Sequence, residues 1–574
     1  MRRRRLTPNI SMKIRSKLLI MVLTVVTPSL VTAAELKMKI AKRYLNFPVS
    51  SHAERRSCRM TVEGVEHCRF VVRLTAGEPD YWVFQDVGAL KGKTIVLSFD
   101  GDAAALGRVY QDDTFPGEEE LYKEAYRPQY HFTTRRGWIN DPNGLVYDSV
   151  RHEYHLFYQH NPYEREWENM HWGHAVSDDL IHWQELPDAL HPDSLGTMFS
   201  GSAWMDYANV AGLNVPAKID RRGRVTSPEI PAMIVYYTAD HPSAERQCMA
   251  YSTDFGRTFT KYAGNPVIDS HVRWQSHDTR DPKIFWYTST SDDPAPQDGH
   301  GVLVLNERDG HSIYTSDDLL RWTPQSHITG FWECPELFRI GDTWVMWGAS
   351  GTYMLGDFDG KTFTPSGPKL MNFNGSAYAA QCFNQMTDGR TVKMAWGRIS
   401  FPDMPFNGCM LLPQEQTLRQ TAYGTRLYSM PARECETLFT PVLDRHDLTA
   451  DEANQLLIPW RDNDVLRIRA TLHLTYATDV ALHYSGQQLF HYDMNGNRLQ
   501  GEFYVNPLTP GSMDIELDIY IDRAIVEGYV DGGAFSYSLE RDVKRTDTQG
   551  YQFRGNQLQV KRLEVFEPRS IWEK

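Results

Sequence analysis

The sequence lacks the motifs of nucleotide-driven chemistry. Neither a phosphate-binding P-loop nor the glycine fingerprint of a dinucleotide-binding fold occurs in its 574 residues. It also lacks a basic block beyond the extreme N-terminus, and its formal net charge is −13 at pH 7. A chain of this charge repels a polyanion, so we expect no nucleic acid among its partners.

Cysteine is scarce. Seven cysteines in a chain of this length do not make a disulfide scaffold, and an odd total leaves at least one unpaired. No C-x-x-C occurs, which excludes a zinc ribbon or a redox motif of that kind. Cys58 and Cys68 flank a short polar segment and could close a hairpin-like loop, but the sequence leaves their pairing open.

Two histidine pairs have spacings that could serve a metal: His152 with His155, and His171 with His174. They lie in strand-like, aromatic-rich sequence, where histidines are more often packed than ligating. We therefore expect no metal and no cofactor.

Aromatic residues, by contrast, are abundant. The 15 Trp, 29 Tyr and 25 Phe make up 12% of the chain, which indicates a β-rich protein, a carbohydrate-stacking surface, or both. A hydrophobic content of 41% against 23% charged residues is typical of a chain that folds around real cores. The length favours two or three domains.

The N-terminus has the order of a secretory signal, which we assign to residues 1–34. Seven basic residues precede an apolar run, Leu18 to Val26, and a small-residue stretch, Val31 to Ala34. The apolar run is short for a bilayer span, so an uncleaved anchor is the weaker alternative; Met12 is an alternative start. We expect export to the periplasm or the medium, with no stable membrane insertion after cleavage. Without those basic residues the formal charge would be −20, which suits a neutral substrate.

The chain divides into three further parts, all predicted to be β. Residues 35–120 form a small N-terminal β domain, with strands at Phe70–Leu74 and Thr94–Phe99 and an acidic connector at its end. Residues 421–574 alternate with period two, as in Leu466–Ala470 and Ile525–Val530, and predict a C-terminal β-sandwich.

Residues 121–420 contain a repeat. Five short apolar strands recur about every 58 residues, at Tyr154–Tyr158, Met233–Tyr237, Val302–Leu305, Trp344–Trp347 and Val392–Trp396. Polar turns ending in an aromatic residue recur between them, beginning at Ser177, Ser252, Thr315 and Gly356. Repeated four-stranded units of this size predict a five-bladed β-propeller; an irregular β-sandwich is the alternative.

Asp141 stands in an unusually dense local context, W-I-N-D-P-N-G. Its Asp-Pro and Asn-Gly pairs form turns, so one interpretation is a tight loop. The other is that Trp138, Asn140 and Asn143 crowd hydrogen-bond donors around one reactive carboxylate.

Two further acids have comparable contexts. Asp281 lies in T-R-D-P-K, where we expect Arg280 to keep it ionised, either for chemistry or as a structural ion pair. Glu333 lies in F-W-E-C-P-E-L, and we expect its apolar flanks to favour the protonated form unless it is an edge-strand residue. Two acids in different environments are what glycoside hydrolysis needs.

Six motifs, in order, resemble those of glycoside hydrolase family 32, the fructanases, levanases and invertases. They are W-I-N-D-P-N-G from Trp138, F-Y-Q-H-N-P from Phe157, M-H-W-G-H-A-V-S-D-D-L from Met170, F-S-G-S from Phe199, R-D-P-K from Arg280 and E-C-P-E from Glu333. The segment I-D-R-A-I-V-E-G-Y-V from Ile521 resembles the family's sandwich signature. The resemblance covers essentially the whole chain after the N-terminal domain, which itself resembles, more weakly, an extra domain of some exported bacterial fructanases.

The resemblance implies a five-bladed propeller followed by a β-sandwich, and a role for each acid. Asp141 matches the family's nucleophile, Glu333 its general acid/base and Asp281 its transition-state stabiliser. The positions that match the family's sugar pocket are Asn140, Asn143, Gln159, Trp167, Phe199, Ser200, Arg280 and Trp396, of which Trp167 and Trp396 could instead be packing aromatics. The chain departs from the family pattern at Thr279, Glu336 and Ser376, which bears on linkage preference.

The expected activity is that of a retaining β-fructosidase on levan, inulin or sucrose, with no cofactor. A pentose-specific hydrolase and a catalytically inactive glycan-binding protein are the alternatives; the motifs and the intact acids argue against each. The sequence does not distinguish exo from endo cleavage, β-2,6 from β-2,1 linkages, or the oligomeric state.

Overall fold

The computed structural model describes residues 33–269, 273–274, 277–289, 299–474, 479–503, 513–545 and 549–573. The expected signal peptide, apart from its last two residues, lies outside these ranges. Two short α-helices have both ends inside them, α1 (Ala103–Leu106) and α2 (Ala450–Leu456). Short 3-10 turns lie at Gly88–Leu90, Glu118–Glu120, Arg433–Leu438 and Ile458–Trp460. Within the described ranges, none of the helices has the length and apolar character needed to cross a membrane.

The first part of the chain forms two small antiparallel sheets. Its strands are β1 (Ala34–Lys39), β2 (Tyr44–Val49), β3 (Arg56–Val62), β4 (Val65–Val72), β5 (Tyr81–Asp86), β6 (Thr94–Phe99) and β7 (Tyr110–Asp112). The sheet orders are β1-β6-β3-β4 and β5-β2-β7, and one apolar core lies between them. The two predicted strands are confirmed as β4 and β6.

Cys58 and Cys68 lie on the paired strands β3 and β4 and are both buried in this core. The structure holds them as free thiols, so the hairpin-closing disulfide is absent. Burial raises the pKa of both thiols, which keeps them protonated and unreactive.

Residues 137–431 form successive antiparallel sheets. The strands of the first two are β8 (Gly137–Asp148), β9 (Glu153–Asn161), β10 (His171–Ser177), β11 (Gln184–Leu190), β12 (Thr197–Asp206), β15 (Ala232–His241), β16 (Ala244–Ser252) and β17 (Thr260–Lys261). Between β12 and β15 along the chain, β13 (Lys218–Ile219) and β14 (Val225–Ser227) form a separate two-stranded sheet. Those of the next two are β18 (Thr279–Thr288), β19 (Gly299–Glu307), β20 (Gly310–Ser316), β21 (Thr323–Thr329), β22 (Glu336–Ile340), β23 (Thr343–Trp347), β24 (Thr352–Phe358), β25 (Phe363–Pro365) and β26 (Leu370–Met371). After β27 (Phe373–Gly375), the fifth contains β28 (Ala377–Cys382), β29 (Thr391–Gly397), β31 (Cys409–Met410), β32 (Gln414–Thr421) and β33 (Gly424–Pro431), whereas β30 (Phe406–Asn407) joins the first.

The five predicted apolar strands are confirmed, and they share one position. They are β9, β15, β19, β23 and β29, each the second strand from the start of its sheet and paired with that sheet's first strand, β8, β12, β18, β22 or β28. A strand flanked on both edges and covered on both faces is buried throughout, which explains its unbroken apolar run. β30 pairs in parallel with β8, so the end of the repeat region adds a strand to its first sheet.

The recurring polar turns connect the third and fourth strands of their sheets, as predicted. In the first, Asp179 Oδ1 accepts the backbone N–H groups of Ile181 and His182 at 3.0 and 2.8 Å. In the third, Asp318 Oδ1 accepts those of Leu320 and Arg321 at 2.9 and 2.8 Å. One aspartate, two residues after the serine, thus satisfies the turn's backbone, and this explains why an aspartate recurs at that position.

The last part of the chain forms two sheets that enclose one large apolar core. Its strands are β34 (Phe439–Thr449), β35 (Val465–His473), β36 (Asp479–Tyr484), β37 (Gln487–Asp493), β38 (Arg498–Leu499), β39 (Glu502–Phe503), β40 (Asp514–Asp522), β41 (Ile525–Val530), β42 (Phe535–Glu540), β43 (Tyr551–Arg554) and β44 (Gln559–Pro568). The sheet orders are β27-β42-β41-β40-β35-β44-β34 and β39-β38-β37-β36-β43. The fifth sheet before it continues past the expected boundary at residue 420, because β32 and β33 form one hairpin that ends at Pro431.

A buried polar cluster ties this last part to the residues just before β8. His131 Nδ1 lies 2.8 Å from Asp522, and its Nε2 lies 2.9 Å from Glu527. Both acids belong to the I-D-R-A-I-V-E-G-Y-V segment. We call these three residues the His131 clamp.

Candidate active site

The first strands of four of the five sheets break register near the residues singled out by the motifs. Register shifts occur between Ile139 and Pro142 in β8, Phe199 and Gly201 in β12, Arg280 and Lys283 in β18, and Tyr378 and Gln381 in β28. A β-bulge redirects a side chain out of the regular alternation of a strand, and bulges are frequent beside active sites. The shifts therefore release the motif residues from the regular pattern of their sheets.

Backbone strain also occurs at the same place. Asp281, Glu333 and Cys334 all have positive φ, of 65°, 50° and 40°. Non-glycine residues persist in this region only where the surroundings hold them, and they cluster at functional sites.

Asp141 is surrounded by donors. Ser200 Oγ donates to its Oδ2 at 2.7 Å, and Asn140 Nδ2 donates to its Oδ1 at 3.1 Å. The Trp138 indole donates to Asn140 Oδ1 at 2.9 Å, which fixes the orientation of that amide. Burial raises the pKa of Asp141, while the bonds from Ser200 and Asn140 oppose the rise by favouring the carboxylate.

Asp281 is buried, with 7% of its surface exposed. Its Oδ2 accepts the backbone N–H of Cys334 at 2.9 Å. Burial raises its pKa to about 7 against the lowering effect of Arg280, and the nearby Asp141 carboxylate adds to the rise. Arg280 alone therefore does not keep Asp281 fully ionised at neutral pH, because burial outweighs the guanidinium.

Arg280 bonds to other acids instead. Its Nη2 donates to Glu333 Oε1 at 2.8 Å, and its Nη1 donates to Glu245 Oε1 at 3.0 Å and Asp278 Oδ1 at 3.1 Å. The guanidinium thus joins one motif acid to two acids outside the motifs.

Glu333 has polar partners on both oxygens. Besides Arg280 at Oε1, the Tyr378 hydroxyl donates to Oε2 at 2.6 Å. Its flanking aromatics turn elsewhere: Phe331 stacks on His311, and Trp332 is 44% exposed. The predicted apolar surround is therefore wrong, because flanking residues along a chain need not be neighbours in space.

Cys334 lies at the centre of the cluster. Its Sγ is 3.7 Å from Asp141 Oδ2 and 3.7 Å from Asp281 Oδ2. Its immediate chain neighbour is Glu333, so the three motif acids, which we call the carboxylate triad, meet around this one residue. Asp141 and Asp281 come from the first strands of different sheets, and Glu333 from the segment before β22.

The residues predicted to line a pocket separate into two groups. Asn140, Ser200 and Arg280 contact the carboxylate triad, as described above. Half-exposed Trp167 packs edge-on against Phe199 with ring centroids 5.9 Å apart, and Trp396 lies between Trp138 and Tyr378. The structure places Asn143 and Gln159 deeper: both are buried, and Gln159 Nε2 donates to the Met198 carbonyl at 2.8 Å.

Four residues at the site were not among the predicted set: Glu245, Asp278, Cys334 and Tyr378. Cys334 stands inside a motif, so its position carried a signal. Tyr378 lies two residues after Ser376, one of the positions where the chain departs from the family pattern, but no sequence signal indicated a role for its hydroxyl. Glu245 stands in no motif, and only the fold brings it to Arg280.

Elsewhere among the described residues, His171, Asp188 and His191 lie close enough together for their side chains to bind one metal ion. His155 and His174, one member of each predicted histidine pair, instead lie buried against each other, with Nδ1 of His155 3.0 Å from Nε2 of His174. The acids of the carboxylate triad belong to no such group in the described part of the chain.

Comparison with known proteins identifies the family. Residues 131–431, more than half of the chain, match the family described as glycosyl hydrolases family 32, N-terminal domain. The chain is 32% identical over 537 residues to a levanase of Bacillus subtilis (strain 168), covering 83% of this chain and 74% of that protein. It is 29% identical over 491 residues to an extracellular exo-inulinase of Aspergillus awamori, covering 71% and 87%.

Solved structures show the same architecture. The crystal structure of exo-inulinase from Aspergillus awamori matches with a TM-score of 0.64 and 25% identity, covering 79% of this chain and 100% of that one. The β-fructofuranosidase from Schwanniomyces occidentalis matches in fold, with a TM-score of 0.63, 23% identity and coverage of 79% and 99%. From the family match and these likenesses together, the chain belongs to glycoside hydrolase family 32.

Proposed function

We propose that the protein is an exported, retaining β-fructosidase that hydrolyses the fructosyl linkages of fructans such as levan and inulin, and of sucrose. The observation that carries this is the convergence of Asp141, Asp281 and Glu333 around Cys334. The names of the relatives, levanase and exo-inulinase, supply the substrate class.

Asp141 is proposed as the nucleophile. Its carboxylate attacks the anomeric carbon of the fructosyl unit and forms a covalent fructosyl-enzyme as the glycosidic bond breaks. The Ser200 and Asn140 donors hold the attacking oxygens in place and favour the ionised form that attack requires.

Glu333 is proposed as the general acid and base. It gives its proton to the leaving oxygen in the first step and takes a proton from the attacking water in the second. Two inversions at the anomeric carbon give net retention, which requires the Asp141 and Glu333 carboxyl groups to be about 5–5.5 Å apart. Arg280 and Tyr378 both donate to Glu333 and hold its two oxygens in a fixed direction.

Asp281 is proposed as the transition-state stabiliser. As the ring flattens towards an oxocarbenium ion, sugar hydroxyls that donate to Asp281 bind more strongly. In the site without substrate its pKa is raised to about 7, chiefly by burial. Hydroxyl donors from a bound sugar would favour the carboxylate, so we expect substrate binding to drive Asp281 towards its ionised form.

The architecture assigned to this function is a five-bladed propeller, residues 121–420 with its last hairpin reaching Pro431, followed by a β-sandwich to residue 574. The five sheets of four or five strands between residues 137 and 431 support it. Residues 35–120 form the added N-terminal domain, and residues 1–34 the export signal. Trp167, 51% exposed, offers a stacking face at the rim for a sugar ring.

The proposal is tested by incubating the purified protein with levan, inulin and sucrose and measuring the fructose released. We expect release from at least one of them, and inactivity on all three would overturn the proposal. Arabinan and xylan test the pentose-specific alternative in the same assay. Fructose alone as the product of levan or inulin indicates exo action, whereas a ladder of oligosaccharides indicates endo action.

A further inference from the structure

A small cavity lies between the N-terminal sheets and the first sheet of the repeat region. Phe84, Gln85 and Asp86, from β5, line one side, and His160, Asp188 and His191 line the other. We propose that His171, Asp188 and His191 form a structural binding site for a divalent transition metal of the Zn²⁺ type beside this cavity. The site is separate from the carboxylate triad and does not depend on the proposed function.

Strand pairing brings the three residues together. His171 begins β10, and its neighbour Trp172 pairs with Leu190 of β11. A register shift between Trp172 and His174 bulges the partner strand at Asp188, and His191 directly follows the end of β11. The donor atoms of the three side chains lie within 4.8 Å of one another.

His171 has the features of a preorganised ligand. It is fully buried, and its Nδ1 donates to the Asn169 carbonyl oxygen. That bond sets the tautomer, so the lone pair is on Nε2, which is buried with no hydrogen-bond partner in the described part of the chain. A histidine whose other ring nitrogen donates to a backbone carbonyl is the usual arrangement of a metal ligand.

His191 and Asp188 complete the set. Nδ1 of His191 is buried and also without a hydrogen-bond partner among the described residues, whichever tautomer the ring adopts. Asp188 Oδ1 lies 2.7 Å from His160 Nδ1, while His160 Nε2 lies 3.2 Å from the Arg136 carbonyl. Both nitrogens of His160 thus face acceptors, so the ring donates to Asp188 and fixes the carboxylate direction.

The nitrogens without a partner are a second observation that points to a cation. Buried polar atoms without a hydrogen-bond partner are rare in proteins, and here Nε2 of His171 and Nδ1 of His191 both belong to the one group with Asp188. Neutral imidazoles and a carboxylate are the ligand forms that bind metal.

The donor set selects the metal. Two imidazoles and one carboxylate suit Zn²⁺, with water from the cavity as a fourth ligand. Tetrahedral ligands at about 2.0–2.1 Å from Zn²⁺ are about 3.3 Å apart, so the half-buried Asp188 and His191 would move inwards slightly on binding. Because the His67 ring of β4 lies 5.3 Å from that of His191, a bound metal would stiffen the contact between the two regions.

This arrangement was not visible in the sequence. For His171, the expectation of no metal considered only His174, three residues away, as a partner. The partners in the structure are instead 17 and 20 residues further along the chain.

The test uses the full chain without an affinity tag, stripped with a chelator and titrated with Zn²⁺ by calorimetry. We expect one equivalent to bind and the thermal midpoint to rise. His191→Ala should weaken binding by about 100-fold or more and remove the rise. His182→Ala is the matched control, because this half-exposed histidine on the same sheet pairs only with nearby Asp179 in the described structure.

The absence of stoichiometric binding, equal binding by His191→Ala, or equal loss in His182→Ala would each overturn the site. Asp188→Asn, which preserves side-chain volume, serves as a second variant should His191→Ala fold poorly. Co²⁺ added to the unmodified chain provides a readout without any variant: an intense visible band of tetrahedral Co²⁺ supports the site, whereas the weak band of octahedral Co²⁺ contradicts it.

Discussion

The carboxylate triad and the His131 clamp both bring carboxylates together, and they differ in how those carboxylates are satisfied. In the clamp, Asp522 accepts the backbone N–H groups of Gln129, Tyr130 and His131 at 2.7, 2.8 and 3.2 Å, besides the His131 ring. In the triad, Asp281 accepts the Cys334 N–H and lies beside two other acids.

The same contrast extends to the second acid of each cluster. Glu527 accepts from the His131 ring, the Leu412 N–H, the Gln414 amide and the Tyr529 hydroxyl. Burial opposes protonation of His131, yet the two carboxylates overcome it and raise its pKa to about 9. A saturated buried cluster stabilises structure, whereas acids held together without full compensation retain the capacity to bind and react.

The largest expected effect comes from removing the nucleophile. Asp141→Ala should lower kcat on levan or inulin by about 10⁴-fold or more, because no other group replaces the covalent step. The thermal midpoint should stay close to that of the parent chain. A kcat within tenfold of the parent would show that Asp141 belongs with structural acids like Asp522.

Glu333→Ala should lower kcat on natural fructans by about 10³-fold. Substrates with a good leaving group need no proton and should lose far less, so the two substrate classes are compared on the same variant. Equal losses on both would contradict the acid role. NMR observation of the first released anomer, before mutarotation, should show retention.

Breaking the clamp should reduce stability without altering chemistry. Asp522→Asn leaves His131 and several N–H groups without a full acceptor, and we expect the free energy of unfolding to fall by about 3 kcal/mol, measured by urea titration. The kcat of the folded variant should be unchanged. A large fall in kcat at equal stability would place the clamp with the catalytic machinery.

The clamp should also make stability depend on pH. The folded pKa of His131, about 9, lies above its ordinary value, so its contribution is fully present below about pH 6.5 and is lost as the pH rises through about 9. The thermal midpoint of the parent chain should therefore fall over this window, and that of His131→Asn should fall less. If the thermal midpoints of the two proteins fell equally with pH, the predicted contribution of His131 would be contradicted.

Among the triad variants, the smallest expected effect on rate is that of Asp281→Asn. The kcat should fall by about 10²-fold with KM nearly intact, because the lost bonds strengthen only in the transition state. Since the folded pKa of Asp281 is raised to about 7, its stability contribution is present at pH 4 and lost as the pH rises through 7. The variant should thus gain stability over the parent between pH 4 and 7, and a loss at pH 7 would mark Asp281 as a structural ion pair.

The local sequence pattern was enough to predict the strands and the turns. The apolar runs at Tyr154–Tyr158 and Val302–Leu305 predicted buried strands because a central strand is covered on both faces, and β9 and β19 confirm them. The S-D turns were equally readable, since Asp179 and Asp318 bond to backbone groups two and three residues away.

The ionisation of Asp281 could not be predicted from the local sequence in this way. Its chain neighbour Arg280 predicted an ionised Asp281, but a pKa depends on burial and on every charge nearby, and burial raises the pKa of Asp281. The contacts of Glu333 were equally hidden, because Arg280 and Tyr378 reach its two oxygens from other strands.

By itself, the sequence determined the all-β class, the repeating unit and the family, because these depend on short-range periodicity and ordered motifs. Only the tertiary structure decided which acids meet, how Asp281 is protonated, that Cys58 and Cys68 stay free, and that His171 finds Asp188 and His191. Each of these depends on burial or on contacts between residues distant in the chain, for which the sequence has no local signal.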